Sequence, residues 1–215
     1  MASRAVLFDF DGTFADTAPD LAAAVNAMRV KRGLAPLEAH AVRPYASMGA
    51  RGLLRIGFGM TPQSPDYAAM RDEFLANYAA AICVHTRLFP GMRELLRTLG
   101  QRAIAWGIVT NKAMRFTERL VPLLDVQPAC VVGGDSTPHL KPHPAPLLLA
   151  SQKLGIRAED CTYVGDDLRD IQAARAAGMR AIAVEYGYHG ADDAGPRTWN
   201  ADAVVSHPTA ILEHL

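Results

Sequence analysis

Four short segments of this sequence carry residues whose types suit one another chemically. DFDGT supplies Asp9, Asp11, Gly12 and Thr13, and IVTNK supplies Thr110, Asn111 and Lys112. LKP supplies Lys141 ahead of Pro142, and YVGDDLRD supplies Gly165, Asp166, Asp167 and Asp170. Several acids converging on one place repel each other unless a cation neutralises them. Only oxygen donors are on offer, with no His/Cys cluster at metal spacing, and a few hard oxygens favour Mg²⁺, which keeps waters and also binds phosphate. With a metal and Lys141 offsetting its charge, Asp9 can attack phosphorus as a nucleophile. Asp11, two residues on, reaches over the same place. It would protonate the leaving oxygen and then activate the water that hydrolyses the aspartyl phosphate. Thr110 and backbone N–H groups of the turn would hold the transferring oxygens, with Asn111 and Lys141 as further phosphate-binding candidates. Each residue taken singly has an ordinary alternative: a turn at Asp11–Gly12, a helix cap at Thr110–Asn111, a solvated Lys141. Their joint appearance is what points to a site.

The elements that must position them are legible as six runs of mainly apolar residues, at 5–10, 103–110, 129–132, 161–164, 181–184 and 201–205. They are continuous rather than alternating, which suits strands covered by helices on both faces. Helical patterns lie between them. One covers 91–99, with Met92, Leu95, Leu96 and Leu99 on a stripe, and another covers 170–177 ahead of a helix-ending Gly178. Repetition of strand and helix predicts an α/β fold, a Rossmann-like doubly wound parallel sheet, in which ligands bind beyond the carboxyl ends of the strands. The four chemical segments all fall at such ends. Residues 16–85 break the rhythm. Thr17 is placed as an N-cap with Pro19 in the first turn, and Leu21, Ala24, Val25 and Met28 follow helical spacing. Further helical stretches run near 50–56 and 67–82. The expected division is an α/β core of 1–15 and 86–215 with a helical cap domain of 16–85, joined by connectors near 14–17 and 84–90.

Composition narrows the partners. Of 215 residues, 50% are apolar and 20% charged, and 22 basic residues balance 22 acidic ones. That balance argues against nucleic acid or an anionic membrane as partner, since both call for a basic surplus. Cys83, Cys130 and Cys161 lie far apart with no C-x-x-C pair, which reads as reduced thiols. No apolar run approaches the roughly 20 residues of a membrane span, and the opening apolar run meets Asp9 and Asp11 at once, unlike a signal peptide. The expectation is a cytoplasmic protein.

The order DFDGT, IVTNK, LKP, YVGDDLRD resembles the haloacid dehalogenase-like superfamily of hydrolases, and the helical insertion resembles that family's cap. The resemblance covers nearly the whole chain. It implies Asp9 as nucleophile, Asp11 as acid/base, Thr110 as phosphate ligand and Lys141 as charge neutraliser. It further implies a metal held by Asp166, Asp9 and the backbone carbonyl of Asp11, with Asp170 or Asp167 as an outer or water-mediated ligand. DTAPDL, RLFPGM and GDDLRDIQAARAAGM are similar to the phosphoglycolate phosphatase group. WGIVTNKAMRF, YGYH at 186–189 and Trp199 resemble phosphatases of N-acetylmuramic acid 6-phosphate. A small-molecule phosphate ester is the implied substrate. Dehalogenases lack the second aspartate, present here as Asp11. Sugar phosphomutases keep both aspartates, and phosphate-accepting signalling domains share the residue types in a shorter chain.

Specificity is expected in the cap, where the stretch 43–54 offers Arg43 and Arg51 to a substrate carboxylate, a group both substrates possess. Prolines 138, 142 and 144 forbid a regular helix around His139 and His143, which read as solvated loop histidines. His189 lies in a glycine-rich loop with no assigned role.

Overall fold

A computed structural model describes residues 3–190 and 194–215. All six apolar runs are strands of one parallel sheet. In chain order they are β1 (Ala5–Phe8), β4 (Ala105–Val109), β5 (Cys130–Val132), β6 (Cys161–Gly165), β7 (Arg180–Val184) and β8 (Ala203–Val205). A separate two-stranded ribbon pairs β2 (Ala15–Asp16) antiparallel with β3 (Arg87–Leu88). The sheet order is β5-β4-β1-β6-β7-β8, so the chain winds outward from β1 to one edge, then restarts on the other side at β6. That reversal between β1 and β6 is the switch point at which open α/β sheets bind ligands.

Successive residues of a strand face opposite sides, and here both sides are buried. Val6, Phe8, Ile108 and Val164 pack with Met92, Leu95 and Leu99 of α5 (Met92–Gln101) and Phe116 and Leu120 of α6 (Met114–Leu123). Ala5, Leu7, Val109 and Tyr163 pack on the other side with Leu147 and Ala150 of α7 (Ala145–Leu154) and Ile171 and Ala174 of α8 (Leu168–Ala176). This explains why the strands read as continuous apolar runs. β1, β4, β5 and β8 are shorter than the expected runs, and β6 and β7 are each one residue longer. Ala103 takes a positive φ of 54°, a left-handed conformation outside the extended region, so β4 begins after it. Gly178, with φ +71°, follows the C-terminus of α8 as expected.

Between β2 and β3 lie α1 (Ala18–Lys31), α2 (Ala39–Val42), α3 (Gly49–Phe58) and α4 (Tyr67–Ala80). Leu21, Val25, Met28, Leu53, Phe74 and Tyr78 bury the faces these helices share, and that core is continuous with the first layer of the sheet. Both connectors are pinned together. Buried Asp20, in the first turn of α1, accepts hydrogen bonds from His85 N (2.9 Å), Thr86 N (2.8 Å) and Thr86 Oγ1 (2.7 Å). One expectation needs correcting: Thr17 sits at the N-cap position of α1 with Pro19 following, but its side chain makes no cap hydrogen bond. Its hydroxyl goes to Asp11 instead. Among the described residues, no helix is long and apolar enough to cross a membrane.

On the outer face of the insertion, Glu73 of α4 binds Lys31 at 2.9 Å and Arg32 at 2.5 Å at the end of α1. The Arg32 and Lys31 hydrogen bonds lower its carboxyl from 4.5 to about 2. A lowered folded value means that the stabilisation is complete above pH 4.5 and disappears as pH falls through about 2. Glu73→Gln is therefore expected to lower the unfolding free energy by roughly 0.5–1 kcal/mol at pH 7, the range of a partly solvated pair. Urea denaturation at stepped pH should show the variant and parent converging at the acid end.

Candidate active site

β1 stops where Asp9 begins. The Asp9 backbone N–H still donates to Val164 O (2.9 Å), which holds the residue in line with the sheet while its buried side chain turns over the strand end. One carboxylate oxygen, Oδ1, accepts from the Phe10 N–H at 2.7 Å. The turn beyond needs Gly12: its φ is +83°, and a Cβ there would lie 2.1 Å from Asp166 Oδ2. On the adjacent strand, β6 ends at Gly165 and Asp166 follows it, fully buried. Thr13 Oγ1 donates to Asp166 Oδ1 (2.8 Å) and the Tyr188 N–H to its Oδ2 (2.7 Å). The next residue, Asp167, caps α8 by accepting from Arg169 N (2.9 Å), and Asp170 Oδ2 accepts from Asp167 N (3.0 Å). This capping box separates two residues that spacing could not rank. Asp170 faces the cluster, while Asp167 pairs with Arg169 at 2.7 Å.

One carboxylate oxygen from each of Asp9, Asp166 and Asp170 lies within 4.8 Å of the others, all three residues buried. Lys141 is buried beside them. Its ammonium lies 2.9 Å from Asp9 Oδ1, 2.7 Å from Asp170 Oδ1 and 2.8 Å from the Tyr163 hydroxyl. That hydroxyl in turn donates to Val109 O at 2.7 Å. One cation does not balance three acids. Burial, opposed by Lys141 but seconded by Asp9, pushes the Asp170 carboxyl up to about 7. Burial and the same Asp9 charge hold Asp166 well above the ordinary carboxylate range. A buried, all-oxygen donor set carrying uncompensated negative charge fits a hard divalent cation such as Mg²⁺.

Asp11 stands apart from this cluster. Lys112 Nζ donates to its two oxygens at 2.9 and 3.0 Å, and Thr17 Oγ1 donates at 2.5 Å. The ammonium also sits 4.7 Å above the Tyr78 ring of α4. Burial works to lower the Lys112 pKa, but the Asp11 carboxylate more than offsets it and the lysine stays firmly charged. Thr110 is buried at the end of β4, with its hydroxyl accepting from Lys112 N (3.2 Å). Asn111 lines the cavity and also grips the Lys141 backbone in both directions: Nδ2 donates to Lys141 O (3.1 Å) and Oδ1 accepts from Lys141 N (2.9 Å).

A cavity of about 550 Å³ opens over Asp9, Asp11, Thr110 and Lys141, roofed by residues of the helical insertion such as Ser47 and Tyr78. The two arginines expected there do not line it. Arg43 binds Asp16 at 2.9 and 3.0 Å and lies 4.7 Å over the Tyr188 ring, and Arg51 borders a separate depression beside Pro44 and Gly190. The arginines that do line the cavity are Arg71, Arg115 and Arg169. Sequence reasoning missed all three, and it named Lys112 beside Asn111 at a strand end without giving it a role. The His139 and His143 rings stack with their centroids 4.2 Å apart, and neither belongs to the acidic cluster.

A family model for haloacid dehalogenase-like hydrolases matches residues 6–184. The chain belongs to that family. The resemblance read from the four motifs is thereby borne out, and so is the doubly wound fold with its helical insertion. Among relatives of this haloacid dehalogenase-like chain is a phosphoglycolate phosphatase of Xanthomonas campestris pv. campestris, 44% identical over 98% of this chain and 95% of its own. An N-acetylmuramic acid 6-phosphate phosphatase of Pseudomonas putida is 43% identical over 97% of this chain and 94% of its own. The crystal structure of a predicted phosphoglycolate phosphatase from Haemophilus somnus 129PT superposes with a TM-score of 0.86 at 25% identity, covering 99% and 97% of the two chains.

Removing the lysine at the centre of this haloacid dehalogenase-like site leaves Asp9 and Asp170 buried without their counter-ion. Lys141→Met should therefore lower the unfolding free energy by about 3–5 kcal/mol in chelator. Guanidinium titration measures it. A loss below about 1 kcal/mol would show that the acids do not depend on Lys141.

Proposed function

We propose that the chain is a Mg²⁺-dependent phosphomonoester hydrolase that works through an aspartyl phosphate on Asp9. The observation that carries this reading is the buried Lys141 ammonium shared by Asp9 and Asp170, with Asp166 within reach, at the switch point and under a cavity. Asp9, Asp166 and Asp170 would hold the metal, together with the backbone carbonyl of Asp11. When bound, Mg²⁺ supplies positive charge between the acids and the substrate phosphate. The chain's own groups do the rest. Lys141 Nζ, Thr110 Oγ1 and neighbouring N–H groups hold the non-bridging oxygens. Asp9 attacks phosphorus as the bond to the leaving oxygen breaks, and Asp11 gives that oxygen its proton. After the alcohol departs, Asp11 takes a proton from water, whose oxygen attacks phosphorus; the Asp9–phosphorus bond breaks and inorganic phosphate leaves.

The same reading divides the chain into an α/β core (1–15 and 86–215) and a cap (16–85). The β2–β3 ribbon supports that division, because both connectors pass through it. A cap closing over Asp9 would exclude water and complete the site. Phosphoglycolate is the first substrate to consider, given the names of the relatives. The second reading, N-acetylmuramic acid 6-phosphate, draws on the Pseudomonas relative and on a cavity of about 550 Å³, which has more room than a two-carbon acid fills.

The test is phosphate release with Mg²⁺ from both compounds, with Asp9→Asn as the blank. A preference of several hundred-fold in kcat/KM, equivalent to ~3–4 kcal/mol of transition-state binding, assigns the substrate. Asp9→Asn should retain the fold by circular dichroism and lose turnover altogether. Excess chelator should silence the parent. An active Asp9→Asn protein would remove the nucleophile assignment, and activity in chelator would remove the metal.

A further inference from the structure

The YGY segment at 186–188 takes no part in the chemistry above, yet it touches the framework of the site at several points. Tyr186 OH donates to Thr13 O (3.1 Å), in the turn after β1. Gly187 lets the segment press against that turn, since a Cβ there would fall 2.2 Å from Asp166 Cβ and 2.7 Å from Gly12 O. Tyr188 is 2% exposed, and every polar atom it carries near the site is engaged. Its backbone N–H donates to Asp166 Oδ2 at 2.7 Å. Its hydroxyl accepts from Thr17 N (2.6 Å) and Ala18 N (2.9 Å) and donates to Asp16 Oδ1 (2.5 Å). One donated and two accepted hydrogen bonds exhaust what a phenol offers.

Those two N–H groups are the N-cap and N1 donors of α1, which have no partner within the helix, and the phenol satisfies them from outside. Thr17 occupies the cap position, but a residue 171 positions away in the chain does part of the capping. The same first turn carries the Thr17 hydroxyl, which donates to Asp11. Arg43 closes the arrangement from the insertion side, bound to Asp16 and lying 4.7 Å over the Tyr188 ring.

We propose that Tyr188 is a positioning residue that sets two acids at once, Asp166 through its backbone N–H and Asp11 through the first turn of α1 and the Thr17 hydroxyl. Arg43 belongs to this strut, holding Asp16 against the tyrosine. The inference rests on Asp11 being the acid/base group, and its test is built to fail separately from that reading.

Tyr188→Phe keeps the ring and the backbone N–H and deletes the hydroxyl. Protonation by Asp11 matters for an alkyl phosphate, whose leaving alkoxide is poor, and little for p-nitrophenyl phosphate, whose phenolate departs unaided. General acid catalysis is worth about 10²–10⁴-fold. Misplacing Asp11 should thus lower kcat on the alkyl phosphate the parent hydrolyses fastest by about 10–100-fold relative to kcat on p-nitrophenyl phosphate. Mg²⁺ affinity, measured by calorimetry, should stay within about twofold of the parent, because the N–H to Asp166 remains. Thr17→Val, which removes only the hydroxyl reaching Asp11, should give the same leaving-group bias and serves if Tyr188→Phe does not fold. The double variant should be no worse than the more damaged single one, since both act along one path.

Asp11→Asn is the control. If it shows the leaving-group bias and neither Tyr188→Phe nor Thr17→Val does, the positioning role is overturned and the acid/base assignment stands. If Asp11→Asn shows no bias, the acid/base assignment itself fails. Equal losses on both substrates, or losses that multiply in the double variant, would reduce Tyr188 to a structural residue.

Discussion

An ammonium group in a protein interior is costly unless acids surround it, and acids in an interior are costly unless cations do. Lys141 meets both conditions together, and the site depends on it. Its Nζ reaches Asp9 at the end of β1 and Asp170 in the first turn of α8, groups contributed by neighbouring strands and their following loops. Holding it there calls on further residues. Asn111 fixes the backbone on either side of the lysine, and Tyr163 links the ammonium to the Val109 carbonyl. The loop carrying Lys141, the end of β4 and the start of α8 are therefore one electrostatic unit, although they are distant in the chain.

That unit is left short of positive charge by design of its composition: three buried acids around one lysine. A deficit of this kind, on oxygen donors alone, suits a hard divalent cation. The other cations are arranged at the margin. Lys112 sits on Asp11, and Arg71, Arg115 and Arg169 line the cavity above. A chain with a formal net charge of zero thus presents an acidic floor under a basic wall. Overall charge governs solubility and long-range partners, whereas the field a substrate meets is decided by which few groups lie within a Debye length of about 10 Å.

The helical insertion is joined to the sheet by contacts that also organise the site. Asp20 binds the returning connector at His85 and Thr86, the β2–β3 ribbon pairs the outgoing and incoming chain, and Tyr188 reaches from the loop after β7 to the start of α1. Thr17 shows how far such contacts alter local roles. In isolation its hydroxyl would cap α1. In the folded chain the phenol of Tyr188 takes the Thr17 and Ala18 N–H groups, and the Thr17 hydroxyl donates to Asp11.

Much was settled by the sequence itself, because it depends on residue type and short spacing. Continuous apolar runs required a sheet buried on both faces. The order of DFDGT, IVTNK, LKP and YVGDDLRD placed acids, a hydroxyl and a lysine at successive strand ends, and 16–85 read as helices between strands. The tertiary structure decided the partnerships. Asp170 rather than Asp167 faces Asp9 because a capping box orients one and Arg169 takes the other. Arg43 goes to Asp16 and Tyr188, while Arg71, Arg115 and Arg169 reach the cavity. Lys112 finds Asp11 across 101 positions of chain. Spacing along the chain fixes which side chains share a strand end or a helix face. Which charges then lie within 3 Å of one another depends on strand order, helix rotation and loop path, and those are properties of the packed molecule alone.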